Sequence, residues 1–315
     1  MKTTKLLLSV GIGLLTMTAL TGCKDEMEIN EDWCLDETYK VPLKVNVDVD
    51  KTFSDYVEID STAMNGAQYR KTRGDPSWQL QYHIALYEND KNVPYDVFSS
   101  FDNPVKVNVR PGKYNFVGWA TWSPADGTRT HYYNLDDFNE IMLKQKYDYE
   151  ANDAYKIPYR GVEMHSVAWT DDEMDLTIKT AMAKFRLVAT DQPQFTPMKT
   201  VISYYSLPAA VNGLTGRINY AWSDVQFENQ ITDDELIASD YVLSHDEETE
   251  VFVKVEIYDN VGNMRARLSK LRIPLVNGGV TTIKGNFYSV LDLNGLSSGG
   301  ISIDTEFEGT YEIEV

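Results

Sequence analysis

Apolar and polar residues alternate in short runs along most of the chain. Val41, Leu43, Val45, Val47 and Val49 are spaced two apart. Leu80, Tyr82, Ile84 and Leu86 repeat the pattern, as do Val105, Val107 and Val109, and later Val251, Val253, Val255 and Ile257. Ile283, Phe287 and Leu291 fit one more face, with Gly285 as a bulge. A period of two sends alternate side chains to opposite faces of a strand, so these runs predict half-buried β-strands. Turn residues stand between them: Pro111-Gly112 before the aromatic run Tyr114 to Trp122, Asn260-Val261-Gly262-Asn263, and Asn277-Gly278-Gly279. Such dipeptides supply the backbone angles that reversals need.

Helical spacing is rare. Asn134 to Lys144 carries early acids, a late lysine and a stripe of Leu135, Phe138, Ile141 and Met142, which predicts a short helix. Asp233 to Ser239 predicts a second turn or two. The fold class expected is therefore all-β, two tandem antiparallel β-sandwich domains with one or two short helices. The acidic cluster Asp171-Asp172-Glu173 marks a boundary. It divides the chain into an N-terminal sandwich over residues 39–170 and a C-terminal one over 171–315.

The first 38 residues have a different character. Lys2 and Lys5 precede an apolar run from Leu6 to Leu20, and Leu20-Thr21-Gly22-Cys23 follows. The run is shorter than the roughly 20 residues a spanning helix needs, and small residues before the cysteine suit a cleavage site. Residues 1–22 read as a lipoprotein signal peptide, and the four-residue end resembles the bacterial lipobox. Cys23 would then carry acyl chains such as palmitate. Two or more chains hold a protein firmly to a membrane where one holds it marginally. Residues 23–38 form an acidic linker. Its opening Lys24-Asp25-Glu26 resembles the signal that sends Bacteroidetes lipoproteins to the outer face of the outer membrane; the same residues also fit a solvated acidic segment. With Cys23 lipidated, Cys34 has no intramolecular partner, which leaves a free thiol or an intermolecular bridge.

The 315 residues carry 48 acids against 29 bases, a net charge of −19. That balance argues against nucleic acid, whose phosphates must be neutralised by Lys and Arg. Catalytic patterns are missing. His83, His131, His165 and His245 are far apart and show neither metal nor nucleophile spacing, and no phosphate loop or Ser elbow occurs. Asp136-Asp137 and Asp233-Asp234 read as helix-start or loop charge. Arg73-Gly74-Asp75 reads as a turn, and Gly295 to Gly300 as a flexible loop. Most of the twenty tyrosines and six tryptophans suit strand packing. The expectation is a protein that is not an enzyme and holds no cofactor or metal.

Three segments carry a resemblance: Val109 to Ala120 (VRPGKYNFVGWA), Met174 to Asp191 (MDLTIKTAMAKFRLVATD) and Ile273 to Leu291 (IPLVNGGVTTIKGNFYSVL). With the signal and the acidic linker, the chain resembles the fimbrillin-like surface lipoproteins of the Bacteroidetes, closest to FimB-type fimbrial anchor and accessory subunits. The resemblance implies transthyretin-like sandwiches and a place in a fimbria (pilus) serving cell adhesion. Partners would be other fimbrial subunits joined by strand exchange, host or bacterial surface ligands, and the membrane through the lipid on Cys23. Location would be the cell outer membrane, facing outward. It also implies that Met174 to Asp191 opens the second domain, and that the loop behind the first strand is where stalk subunits are cleaved. Arg70 and Arg73 stand there, where a plain basic loop is the other reading. The tail has Tyr311, Ile313 and Val315 on one face and suits a donor strand. A second function class remains open, a glycan-binding accessory lipoprotein of a polysaccharide-uptake system. That role needs coplanar exposed aromatic rings, whereas a pilus subunit needs an open sheet edge or groove.

Overall fold

The computed structural model describes residues 40–50, 77–89, 91–125, 132–232, 235–244, 249–289, 301–306 and 311–314, the last two spans without their side chains. The alternating runs that begin at Val41, Leu80, Val105 and Val251 form strands as expected; the face drawn through Ile283 does not run on, because its strand ends at Gly285 and Phe287 lies in the turn after it, while Leu291 lies outside the described residues. In chain order the first half contains β1 (Val41–Val49), β2 (Trp78–Glu88), β3 (Asp96–Ser100), β4 (Val105–Val109), β5 (Gly112–Pro124), β6 (Tyr133–Asn134), β7 (Ile141–Leu143), β8 (Tyr159–Val167) and β9 (Glu173–Thr180). The second contains β10 (Met182–Ala189), β11 (Pro197–Tyr204), β12 (Leu207–Val211), β13 (Ile218–Trp222), β14 (Val225–Gln230) and β15 (Leu236–Leu243). It continues through β16 (Thr249–Asp259), β17 (Met264–Leu275), β18 (Val280–Gly285), β19 (Ile301–Glu306) and β20 (Tyr311–Glu314).

The first sandwich is one sheet folded on itself, in the order β3-β2-β5-β8-β9-β1-β4. The fold line is the β8–β9 contact, where only Tyr159 pairs with Thr180 and Arg160 with Lys179. Glycines let the layers close. Gly118 on β5 faces Leu176 and Ile178 of β9, and a Cβ on Gly161 would lie 2.1 Å from the Thr177 carbonyl oxygen. The second sandwich places β15-β10-β18-β19-β20 against β14-β11-β16-β17. The halves share a design. In each, the opening strand lies between an antiparallel neighbour and a parallel one: β4-β1-β9 in the first, β15-β10-β18 in the second.

Three further expectations are corrected. The stripe within Asn134 to Lys144 is not a helix: its ends are β6 and β7, joined by a turn. Phe138 and Ile141 are buried all the same, because they anchor that turn on the core. Tertiary packing here overrides local spacing. Asp233 to Ser239 is not a helix either, since its described part runs into β15, held by the antiparallel ladder to β10. Among the described residues the helical content is one 3₁₀ turn, Ala154–Lys156, whose N-terminus is capped by the Asp153 side chain. Finally, Met174 to Asp191 does not lie wholly in the second half. Its first strand, β9, pairs with β1 and β8, so the first sheet runs on to Thr180 and the second begins at β10.

Candidate functional site

Strand β1 is the part of the fold nearest the proposed tether, and its alternation decides how it is held. Val41, Leu43, Val45 and Val47 are buried, while Pro42, Lys44 and Asp48 face outward. On one side Val41 to Val45 pair with β4; on the other Lys44 to Val49 pair in parallel with β9. The β4 ladder stops at Val45, and Asn103 replaces it. The Val47 N–H donates to Asn103 Oδ1 at 2.9 Å, and Asn103 Nδ2 donates to the Val47 carbonyl at 2.7 Å. Asn46 Nδ2 donates to Asp175 Oδ1 at 3.1 Å, fixing register on the other edge. Burying each aliphatic side chain is worth about 1.5–3 kcal/mol, so withdrawing four costs on the order of 10 kcal/mol as an upper figure. β1 therefore does not leave unaided. Only a strand of similar pattern could take its place without leaving β4 and β9 unpaired.

A second constellation joins the halves. A sheet in the order β13-β12-β7-β6 is shared between them, with Ile141 and Met142 of β7 pairing to Val211 and Ala210 of β12. Beneath it lies a buried ion pair. The Lys156 ammonium donates to Asp240 Oδ1 at 2.9 Å, to Tyr149 Oη at 2.9 Å and to the Glu150 carbonyl at 3.1 Å. All three of its protons are thus engaged. The Asp240 carboxylate also accepts from the Tyr149 and Tyr204 hydroxyls, both at 2.7 Å, and from the Asn152 and Tyr241 amides at 2.9 and 2.7 Å. The side chains of Lys156 and Asp240 are 2% and 0% exposed. Burial first, and then the Asp240 charge, push both phenols well above the ordinary tyrosine range, so they stay donors. Arg160 of β8 adds a further link, donating from Nε to the Gly213 carbonyl at 2.6 Å and from Nη2 to the Leu214 carbonyl at 2.7 Å. Sequence reasoning missed this cluster, whose members lie up to 92 residues apart. One signal was present: an aspartate inside LIASDYVL, a strand with every other position from Ile237 onward buried and apolar or small.

The residues singled out for chemistry do not converge. His83 is buried on β2 with Nδ1 2.7 Å from Ser99 Oγ, and desolvation pulls it down to about 4. His165 lies 3.5 Å from Asp171 at the surface. Asp136 and Asp137 shape the turn after β6, where Asp137 Oδ1 accepts the Asn139 amide. His131, His245, Asp233 and Asp234 lie outside the described residues, as do Cys23, Lys24, Asp25, Glu26, Cys34, Arg70, Arg73, Gly295 to Gly300 and Val315. The aromatics are mainly core: Trp119, Tyr87, Tyr132, Tyr133, Tyr155 and Tyr159 are buried, with Trp119 edge-on to Tyr133 at 5.3 Å. Three exposed tyrosines, Tyr147, Tyr205 and Tyr220, sit before β8, after β11 and within β13. Among the described residues none of these three stacks on another, and Trp169 is exposed as well.

Taken together these features define an all-β protein of two sandwiches riveted by a shared sheet and a buried ion pair. The chain belongs to a family described as being of unknown function, DUF6562, whose profile matches residues 37–315. No curated protein matches it. Solved structures similar to it include the fimbrial anchor protein Mfa2 from Porphyromonas gingivalis, at 9% identity over 88% of this chain and 99% of that one, with a TM-score of 0.48. A fimbrial assembly protein from Parabacteroides distasonis matches at 13% identity over 88% and 98%, with a TM-score of 0.45. A Bacteroides thetaiotaomicron protein provisionally named for polysaccharide binding matches at 11% identity over 87% and 98%, also with a TM-score of 0.45.

Proposed function

We propose that the chain is a surface lipoprotein acting as a fimbrial anchor or accessory subunit in cell adhesion. It is tethered to the outer membrane by lipid on Cys23, exported by Lys24-Asp25-Glu26, and joined to other subunits by strand addition. One observation carries the reading: β1 fills the gap between β4 and β9 and contributes four buried side chains to the core. A lipid on Cys23 connects to the fold through residues 24–40 and β1: an uncut chain holds the sandwich covalently, whereas a chain cut behind β1 would hold it only while β1 stays seated. A seated β1 also closes that groove to a neighbour's strand and puts the subunit at an end of the polymer. Strand addition then falls to open edges. The β17 edge carries Arg265, Arg267, Lys270 and Arg272, charge that discourages indiscriminate pairing. β20 is joined to the second sandwich through β19.

Mass spectrometry of protein taken from the native cell surface tests this. The expected N-terminus is an acylated Cys23 on an otherwise uncut chain. An N-terminus at Lys71 or Gly74 on most molecules would mean cleavage after Arg70 or Arg73 and would make the protein a stalk or tip subunit. Protease added to intact cells should digest the wild type but spare a variant with Lys24, Asp25 and Glu26 all changed to Ala.

A further inference from the structure

Lys156 and Asp240 bring an amine and a carboxyl together out of reach of solvent. Nζ lies 2.9 Å from Oδ1, and the two side chains are 2% and 0% exposed. With a C–O bond of about 1.2 Å, Nζ stands no more than about 4 Å from the carboxyl carbon. Reacting atoms need to be about 3–3.5 Å apart, so a shift of about an ångström brings them into range. Two buried ions are also costly to keep, and that cost vanishes if the pair becomes one neutral group. The donors around the carboxylate divide by oxygen. Oδ1 accepts the Asn152 and Tyr241 main-chain amides at 2.9 and 2.7 Å. Oδ2 accepts the Tyr149 and Tyr204 hydroxyls, both at 2.7 Å. Tyr149 Oη in turn accepts from Nζ at 2.9 Å, so this phenol bridges the amine to Oδ2. One oxygen therefore faces a pair of amides, the arrangement that steadies an oxyanion, and the other ends a hydrogen-bonded path for protons from the amine.

From this geometry we infer that Lys156 and Asp240 condense to a side-chain amide that crosslinks the two halves of the chain. A proton passes from the Lys156 ammonium through Tyr149 Oη to Oδ2, leaving a neutral amine and a carboxylic acid. The nitrogen lone pair attacks the Asp240 carboxyl carbon, and the charge that gathers on Oδ1 is met by the Asn152 and Tyr241 amides. A second proton from the nitrogen follows the same path, the bond from the carbon to Oδ2 breaks, and Oδ2 leaves as water. Nothing is oxidised or reduced, and no outside reagent enters. The ion pair is the state before this step. The bond would tie the 3₁₀ turn of the first half to β15 of the second, across 84 residues of sequence, so the halves could not part even with the shared sheet open. Loss of either side chain would forfeit the bond, which adds to the coupling between them. The inference does not depend on the fimbrial reading.

Intact mass and peptide mapping of the purified full chain test it. After allowance for the substitution, the wild type should be lighter by one water than Lys156→Arg made in the same way. Its digest should contain a branched peptide joining Lys156 to Asp240. Cell-free synthesis gives the step a starting time, and Tyr149→Phe should slow the loss of water about a hundredfold or more. Three results would each overturn the assignment. One is a wild-type digest in which Lys156 and Asp240 occur only in separate, unmodified peptides, a result that needs no variant to fold. Another is the same missing water in Lys156→Arg, which would place the loss elsewhere in the chain. The third is an equal rate in Tyr149→Phe, which would remove the phenol path on which the step depends.

Discussion

Changing Asp240 to alanine should be the most damaging single side-chain deletion at the junction. The carboxylate receives five donors: the Lys156 ammonium, two phenols and two main-chain amides. Asp240→Ala takes the shared acceptor from all five and leaves the ammonium without its counter-charge, in a site with no exposure of its own. Breaking a buried pair by removing one partner costs about 3–5 kcal/mol, because an uncompensated charge stays behind. In a chain of this size each kcal/mol moves the thermal midpoint about 2–4 °C, so the expected fall is about 6–20 °C. Lys156→Met should cost less, near the lower end, since the carboxylate keeps four protein donors. The double variant Lys156→Met/Asp240→Ala should be more stable than the sum of the two losses implies, because the stranded ammonium is gone. Thermal and urea denaturation of the four proteins measures this directly. Losses that add to within about 0.5 kcal/mol would refute coupling across the pair, and the junction would then rest on the shared sheet and Arg160 alone.

Other outcomes follow from the same structure. Cys23→Ala should release the protein from membranes, seen as loss from the pelleted fraction after a high-salt wash; retention there would contradict a lipid tether. Gly161→Ala should destabilise by about 1–3 kcal/mol or more, since its Cβ meets the Thr177 carbonyl. Gly262→Ala, with open space around it but a φ of +87°, should lose less, and comparing the two melting curves checks this. His83 is held neutral by burial, with its titration pulled from 6.5 to about 4. The unfolded chain therefore binds a proton first as pH falls. The stability this group gives is full above about 6.5 and drains away between there and about 4, reaching a loss of about 2 kcal/mol by pH 5. Urea titrations at pH 7 and pH 5 should show His83→Gln losing less over that interval than the wild type.

Much of the first sandwich could be read from sequence because its strands keep one face wet. Val41 to Val49 and Val105 to Val109 alternate cleanly for that reason, and Thr249 to Asp259 does the same in the second sandwich. The failures come where a long-range partner decides. β7 is three residues long and exists because β6 and β12 flank it, the latter from the other half of the chain. Nothing within Asn134 to Lys144 announces that partner, and its i, i+3, i+4 spacing mimics a helix. β9 and β10 are separated only by Ala181, so they read as one hairpin. They part because each opens or closes a different sandwich. The ion pair and the Arg160 link were out of reach for the same reason, since Lys156 with Asp240, and Arg160 with Gly213 and Leu214, meet only after both halves have folded.

The parallel seating of β1 against β9 has a consequence for how the protein is made. The bond from Asn46 to Asp175 spans 129 residues of sequence, and the β10–β18 ladder repeats the same plan in the second half. Contacts this distant must close a long loop before they are rewarded, which slows folding. A nascent first half cannot finish until Glu173–Thr180 have been synthesised, and until then Val41–Val49 has only β4 to pair with. During that interval the β9 side of β1 is unpaired, and that is when a foreign strand competes best for the place of β1.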